Sequence, residues 1–187
     1  VPERRLKTLV VLCVYFMGFR AVCCMLSWIP TLFVDSGYTR VQGIVALTGF
    51  DLGAIPGILV LAALTTRLPL VPLLSLFFLG AGAVLAFVGL TEPQELDALM
   101  RLMFAGGFFL HGGFTCLYAL ATRVYPNEIR AAGVGWAAGL GRTGAIASPL
   151  LAAALLSAGW GMYALFSLFA IPLALGGLLL WVFVQDD

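Results

Sequence analysis

Six apolar stretches, near residues 8–34, 42–65, 70–90, 98–122, 131–157 and 160–184, constrain this chain more than anything else in it. Each supplies the ~20 residues that a helix needs to cross ~30 Å of hydrocarbon. Lipid offers no hydrogen bonds to the backbone, so isolated spans of this kind are helices. The segments between them carry polar or helix-breaking residues: Asp35-Ser36-Gly37, Arg67-Leu68-Pro69, Glu92-Pro93-Gln94-Glu95, Pro126-Asn127 and Gly159-Trp160-Gly161. All are short, which leaves no room for an inserted soluble domain. The expected fold is all-α integral membrane, with six transmembrane helices in one domain over residues 1–187.

Composition points the same way. Hydrophobic residues make up 62% of the chain and charged residues 10%, with a mean hydropathy of +1.07. That is more apolar surface than one soluble core can hide. A net charge of +1, with no basic block beyond the start, gives no electrostatic footprint for nucleic acid. Cys13, Cys23, Cys24 and Cys116 lie in apolar runs without metal or disulfide spacing, and are expected as small buried hydrophobes. A single His and the lack of a carboxylate cluster leave no metal set, and no strand precedes the glycine-rich run to make a dinucleotide site. The chain is therefore expected to be no enzyme and to carry neither metal nor cofactor. It begins Val1-Pro2 rather than with Met, and its first span is too long for a signal peptide, so a fragment is expected.

Six spans divide as three plus three, 8–90 and 98–184, and an odd number of spans inverts the second unit relative to the first. Inverted three-helix repeats build the halves of many transporters. Arg4, Arg5, Lys7, Arg67, Arg123 and Arg130 fall on one side, against Arg40 and Arg101 on the other. By the positive-inside rule both termini are cytoplasmic, in a multi-pass protein of the inner or plasma membrane.

Four ionisable residues sit deep within the spans: Arg20, Asp51, His111 and Arg142. At ~1.5 Å per residue each lies near mid-bilayer. Intramembrane charges are costly and turn toward a partner or a water-filled cavity, so agreement in depth points to a common midplane site. Arg142 stays charged in nearly any environment and presents a planar fork suited to a carboxylate. It reads either as a substrate-binding residue or as the ion-pair partner of Asp51. Asp51 reads as a proton-coupling carboxyl, or as a counter-ion to Arg20 or Arg142. His111, between glycines, either hydrogen-bonds substrate and relays protons or bonds a neighbouring helix. Arg20 lines the cavity or is a tolerated oddity.

Around Arg142, Gly133, Gly135, Gly139, Gly141 and Gly144 make a small-residue helix suited to close packing, as do Gly53 and Gly57. Phe108, Phe109, Phe114, Tyr118 and Trp136 lie deep in their spans. An aromatic wall beside Arg142 and His111 would suit a flat, apolar carboxylate whose ring stacks while its charge pairs. Substrate-binding candidates are thus Arg142, His111, Phe108, Tyr118 and Trp136, with Asp51 for proton coupling.

Two segments carry a family resemblance. Leu26-Ser27-Trp28-Ile29-Pro30-Thr31-Leu32 with Asp35-Ser36-Gly37 resembles the end of the seventh helix of major facilitator superfamily transporters. Tyr125-Pro126 through Arg130, Gly133, Gly135, Gly139, Gly141-Arg142-Thr143-Gly144 and Pro149 is similar to the join of the tenth and eleventh spans. The whole chain resembles the C-terminal six-helix half of such a transporter, in the aromatic acid:proton symporter branch. That resemblance implies proton-coupled import of aromatic carboxylates by alternating access. It also makes Glu128 and Arg130 a cytoplasmic gate whose ion pairs break and re-form. The pattern departs at Thr65-Thr66-Arg67-Leu68-Pro69, where the family carries an Asp-Arg pair, at Asp51, where an amide is usual, and at Arg20, where an apolar residue is usual. The partners implied are a small organic acid, protons, the bilayer, and either a missing N-terminal half or a second copy. The competing reading is a scaffold subunit or transporter fragment that moves nothing.

Overall fold

The computed structural model describes residues 2–184, and every element in it is a helix. In order these are α1 (Pro2–Asp35), α2 (Arg40–Leu64), α3 (Leu70–Thr91), α4 (Leu96–Val124), α5 (Arg130–Ser157) and α6 (Met162–Phe183). All six are long and apolar enough to span a membrane. The turns stop the helices by recognisable chemistry. After α1, Gly37 adopts φ +89°, Tyr38 N–H bonds the Phe33 carbonyl at 3.0 Å, and Gly37 N–H bonds that of Val34 at 3.0 Å. Gly159 (φ +86°) repeats this double bond after α5. It is the glycine-terminated helix end that only a residue tolerant of left-handed backbone forms cheaply. Thr39 starts α2 with a reciprocal capping box to Gln42.

The six helices form three intimate pairs: α2 with α4, α5 with α1, and α3 with α6. Further contacts join α3 to α4 and α6 to α1, so exchanging the first three helices for the last three maps the packing onto itself. Burial keeps the same register. On α2 the buried positions include Ala46, Phe50, Gly53, Gly57 and Leu61; on α5, Ala137, Gly141, Gly144, Ser148 and Ala152 repeat that spacing. On α3, Leu70, Leu73, Leu74, Phe77, Phe78 and Ala81 are matched on α6 by Met162, Leu165, Phe166, Phe169, Ala170 and Leu173. The fold is a six-span membrane half-domain built from an inverted repeat of three.

Helices in lipid gain little from hiding apolar surface, so close packing must hold these pairs together. A Cβ at Gly53 would run into the Phe104 carbonyl oxygen, and one at Gly57 into that of Phe108. On the equivalent pair, a Cβ at Gly144 would lie 2.7 Å from the carbonyl oxygen of Phe16. Backbone thus meets backbone at both α2–α4 and α1–α5. Gly49, Gly135 and Gly139 instead have open space where a side chain would stand. The α3–α4 turn, opposite the termini, is tied down by Tyr163, whose hydroxyl donates to the Pro93 carbonyl at 3.0 Å.

Candidate functional site

Asp51, His111 and Arg142 lie near the middle of α2, α4 and α5, and packing decides what each meets. Against α4, α2 buries Phe50 fully, and the Phe50 ring stands edge-on to His111 with centroids 5.3 Å apart. The next residue, Asp51, therefore projects at the edge of the contact. Its Oδ1 lies 3.9 Å from His111 Nε2, with 53% of the Asp51 side chain exposed and 17% of the His111 side chain. That separation is too long for a direct hydrogen bond, and Nε2 is buried without another partner. Sequence offers Arg20 or Arg142 as counter-ions for Asp51; the structure brings it to neither, and places it instead beside His111, a pairing that sequence reasoning does not make.

Arg142 is exposed on α5, and among the described residues it makes no ion pair or hydrogen bond. It follows the buried Gly141 as Asp51 follows the buried Phe50. The two charges thus hold equivalent positions in the two repeats, on the second helix of each. Arg20 turns elsewhere: its guanidinium carbon stands 5.1 Å from the centroid of Phe169 on α6. A cation over an aromatic face is a favourable, carboxylate-free resting place.

The aromatic candidates divide. His111, Thr115, Tyr118 and Thr122 follow helical spacing along one face of α4, and Thr115, Tyr118 and Thr122 are exposed on it. Phe108 is engaged with α3, its ring stacked on Phe77 at 5.5 Å. Trp136 is 76% exposed and lines an open groove of ≈ 480 Å³ along α5 with Gly135, Gly139 and Thr143. Sequence reasoning passed over Tyr15. It is fully buried, its hydroxyl has no hydrogen-bond partner, and its ring meets Tyr118 edge-on at 5.4 Å. A hydroxyl in an otherwise apolar run, four residues before Phe19, was the available signal. Phe19 and Phe114 complete this cluster at 4.7 Å, also edge-on.

Glu128, in the α4–α5 connection, and Arg130, the first residue of α5, are exposed. No ion pair joins them; instead Arg130 Nε donates to the Tyr125 carbonyl at 3.4 Å. Tyr125, just outside the spans, is buried beneath Gly133, where a Cβ would lie 2.5 Å from its ring. Burial pushes its phenol above the ordinary value of 10, opposed by a hydrogen bond with Thr8.

No protein-family model matches the chain. Among curated proteins it is 32% identical over 184 residues to a 3-(3-hydroxy-phenyl)propionate transporter of Escherichia coli, covering 98% of the chain and 45% of that protein. It is 33% identical over 169 residues to a gallate transporter of Pseudomonas putida, covering 90% of the chain and 37% of the relative. A 4-hydroxybenzoate transporter of Pseudomonas aeruginosa matches at 33% over 168 residues, with coverage of 90% and 37%. The chain spans less than half the length of these relatives. Their names are those of transporters and not of enzymes. With six spans in an inverted repeat of three and this degree of identity over nearly all its length, the chain is a homologue of aromatic acid transporters.

Proposed function

We propose that the chain is the C-terminal half of a proton-coupled importer of small aromatic carboxylates that works by alternating access. The observation that carries this reading is the Asp51–His111 approach at mid-span, with Arg142 unpaired at the equivalent position of the other repeat. A cation with no carboxylate partner deep in a span is expected to serve a ligand. Arg142 takes the substrate carboxylate in its planar fork. Tyr118 and Trp136 offer ring faces, with Phe108 of α4, stacked on Phe77 of α3, backing the wall, and His111 supplies a hydrogen bond. Asp51 takes up and releases the coupled proton. Glu128 and Arg130 act at the cytoplasmic gate by exchanging partners as the halves rock.

The exposed faces of α2 and α5 meet a second six-helix half, either the N-terminal half of the same transporter or another copy of this chain. The open positions at Gly49, Gly135 and Gly139 support this, because small residues let helices of a partner approach closely. The protein resides in the inner or plasma membrane with both termini in the cytoplasm.

The test is uptake of labelled 4-hydroxybenzoate by cells making the protein, at acidic and alkaline external pH, beside an Arg142→Ala variant of equal membrane abundance. Faster uptake at acidic pH that disappears in the variant supports the reading. Uptake that survives the loss of Arg142, or no uptake of any aromatic acid, overturns it.

A further inference from the structure

Arg142 follows Gly141, and what lies against Gly141 decides where Arg142 points. The contact is the ring of Phe19 on α1, which occupies the space that a Cβ on Gly141 would need. One turn on, a Cβ at Gly144 would lie 2.7 Å from the Phe16 carbonyl oxygen and 3.0 Å from the Phe16 ring. At this contact α5 offers only backbone, and α1 supplies the side chains. In the equivalent α2–α4 contact the sizes are exchanged. There the charge-bearing helix carries the large residue, Phe50, whose ring stands against Gly106 and whose carbonyl fills the Cβ position of Gly107. Asp51 is thus oriented by its own helix, whereas Arg142 is oriented from outside, by Phe19.

Phe19 is itself firmly held. Its ring meets Phe114 of α4 edge-on with centroids 4.7 Å apart, and the Tyr15 ring, one turn earlier on α1, lies 6.4 Å away. The backbone beside it has little slack, since a Cβ at Gly18 would come 3.1 Å from the Phe114 ring. Tyr15 and Phe114 also meet Tyr118 edge-on, at 5.4 and 6.2 Å. Phe19 is therefore a wedge between α4 and α5, and Tyr118 leans on the same aromatic cluster. Arg142 is exposed and, among the described residues, has no hydrogen bond or ion pair to aim it. The placement of its helix does that instead.

We propose that Phe19 is the positioning residue of Arg142, a wedge on α1 that sets the direction in which the guanidinium leaves α5. The inference rests on the carboxylate role given to Arg142 above and deepens it. Without the ring, the glycine face of α5 closes on α1 and the fork turns off the line on which it meets a carboxylate. A deleted ring leaves a void that its neighbours fill only in part, and a displacement on the order of 1 Å spoils a planar two-bond contact.

The experiment measures equilibrium binding of 4-hydroxybenzoate and of the neutral 4-hydroxybenzamide to the purified protein, and takes the ratio of the two affinities. General loosening of the fold weakens both and leaves the ratio unchanged, whereas a misaimed Arg142 lowers it. The wild-type protein is expected to favour the acid about tenfold or more, the scale of one hydrogen bond to a charged group. Phe19→Ala brings the ratio close to that of Arg142→Ala, and Phe19→Leu, which keeps part of the wedge, gives an intermediate value. Adding Phe19→Ala to Arg142→Ala lowers the ratio no further, because the two residues act as one unit. A wild-type ratio in Phe19→Ala or, where that variant fails to fold, in Phe19→Leu overturns the inference. A fall of equal size when Arg142 is already alanine overturns it too. Equal affinity of the wild type for acid and amide, or binding of neither, instead removes the carboxylate role of Arg142 and the reading on which this one rests.

Discussion

Asp51 and Arg142 occupy matching positions on α2 and α5, each one residue beyond a buried contact, Phe50 and Gly141, with its partner helix. The repeat thus puts a carboxylate and a guanidinium on the second helix of each triplet. Among the described residues only the carboxylate has a polar side chain beside it, His111 at 3.9 Å. Duplicated architecture has thus been filled with opposite charge.

Arg142→Lys should keep the charge but lose the fork. Binding of 4-hydroxybenzoate is expected to weaken about tenfold, and Arg142→Ala more, since hydrogen bonds to charged groups are worth ~1.5–3 kcal/mol. Equal affinities for wild type and both variants, measured by equilibrium binding in detergent, would remove Arg142 from the site.

Asp51→Asn should flatten the dependence of uptake on external pH, because an amide cannot carry the proton. An unaltered pH profile at equal membrane abundance would clear Asp51 of proton coupling.

Glycines separate into packed and open classes. Gly57→Ala forces a methyl group against the Phe108 carbonyl and should cost ~1–3 kcal/mol, as overpacking generally does. Gly139→Ala meets nothing and should leave the thermal unfolding of the purified six-helix chain unchanged. Similar melting shifts for the two would contradict the α2–α4 contact described above.

Arg20→Leu should retain uptake, since the guanidinium rests on Phe169 away from Asp51 and His111. Its removal forfeits a cation–π contact of about 0.5–2 kcal/mol and relieves an intramembrane charge. Abolished transport in this variant, with the protein still in the membrane, would bring Arg20 into the site.

Tyr125 gives an alkaline signature. Its folded phenol is raised above the ordinary value by burial, so the neutral form is favoured in the folded protein. The associated stability is fully present below about pH 10, the unfolded value, and is lost as pH rises through the raised folded one. Tyr125→Phe should remove this part of the alkaline loss in melting temperature. Parallel melting curves against pH for wild type and variant would refute it.

The sequence by itself determined the six spans, their turns, the mid-bilayer depth of four ionisable residues and the family resemblance. Those properties are one-dimensional. Length and hydropathy locate a helix in lipid, and a rise of ~1.5 Å per residue converts position into depth. The direction in which a residue points was another matter. In soluble proteins an apolar stripe reveals the buried face, but apart from α4, with its His111–Thr122 polar face, these helices are apolar nearly all round, so periodicity is mute. Only tertiary packing separated Gly53 and Gly57, pressed onto carbonyls, from Gly135 and Gly139, which face open space. Packing also gave Asp51 to His111, turned Arg20 onto Phe169, drew Phe108 toward Phe77 and left Arg142 unpaired. Azimuth is fixed by which helices touch, and that is decided by the fit of small residues between chain segments far apart in sequence.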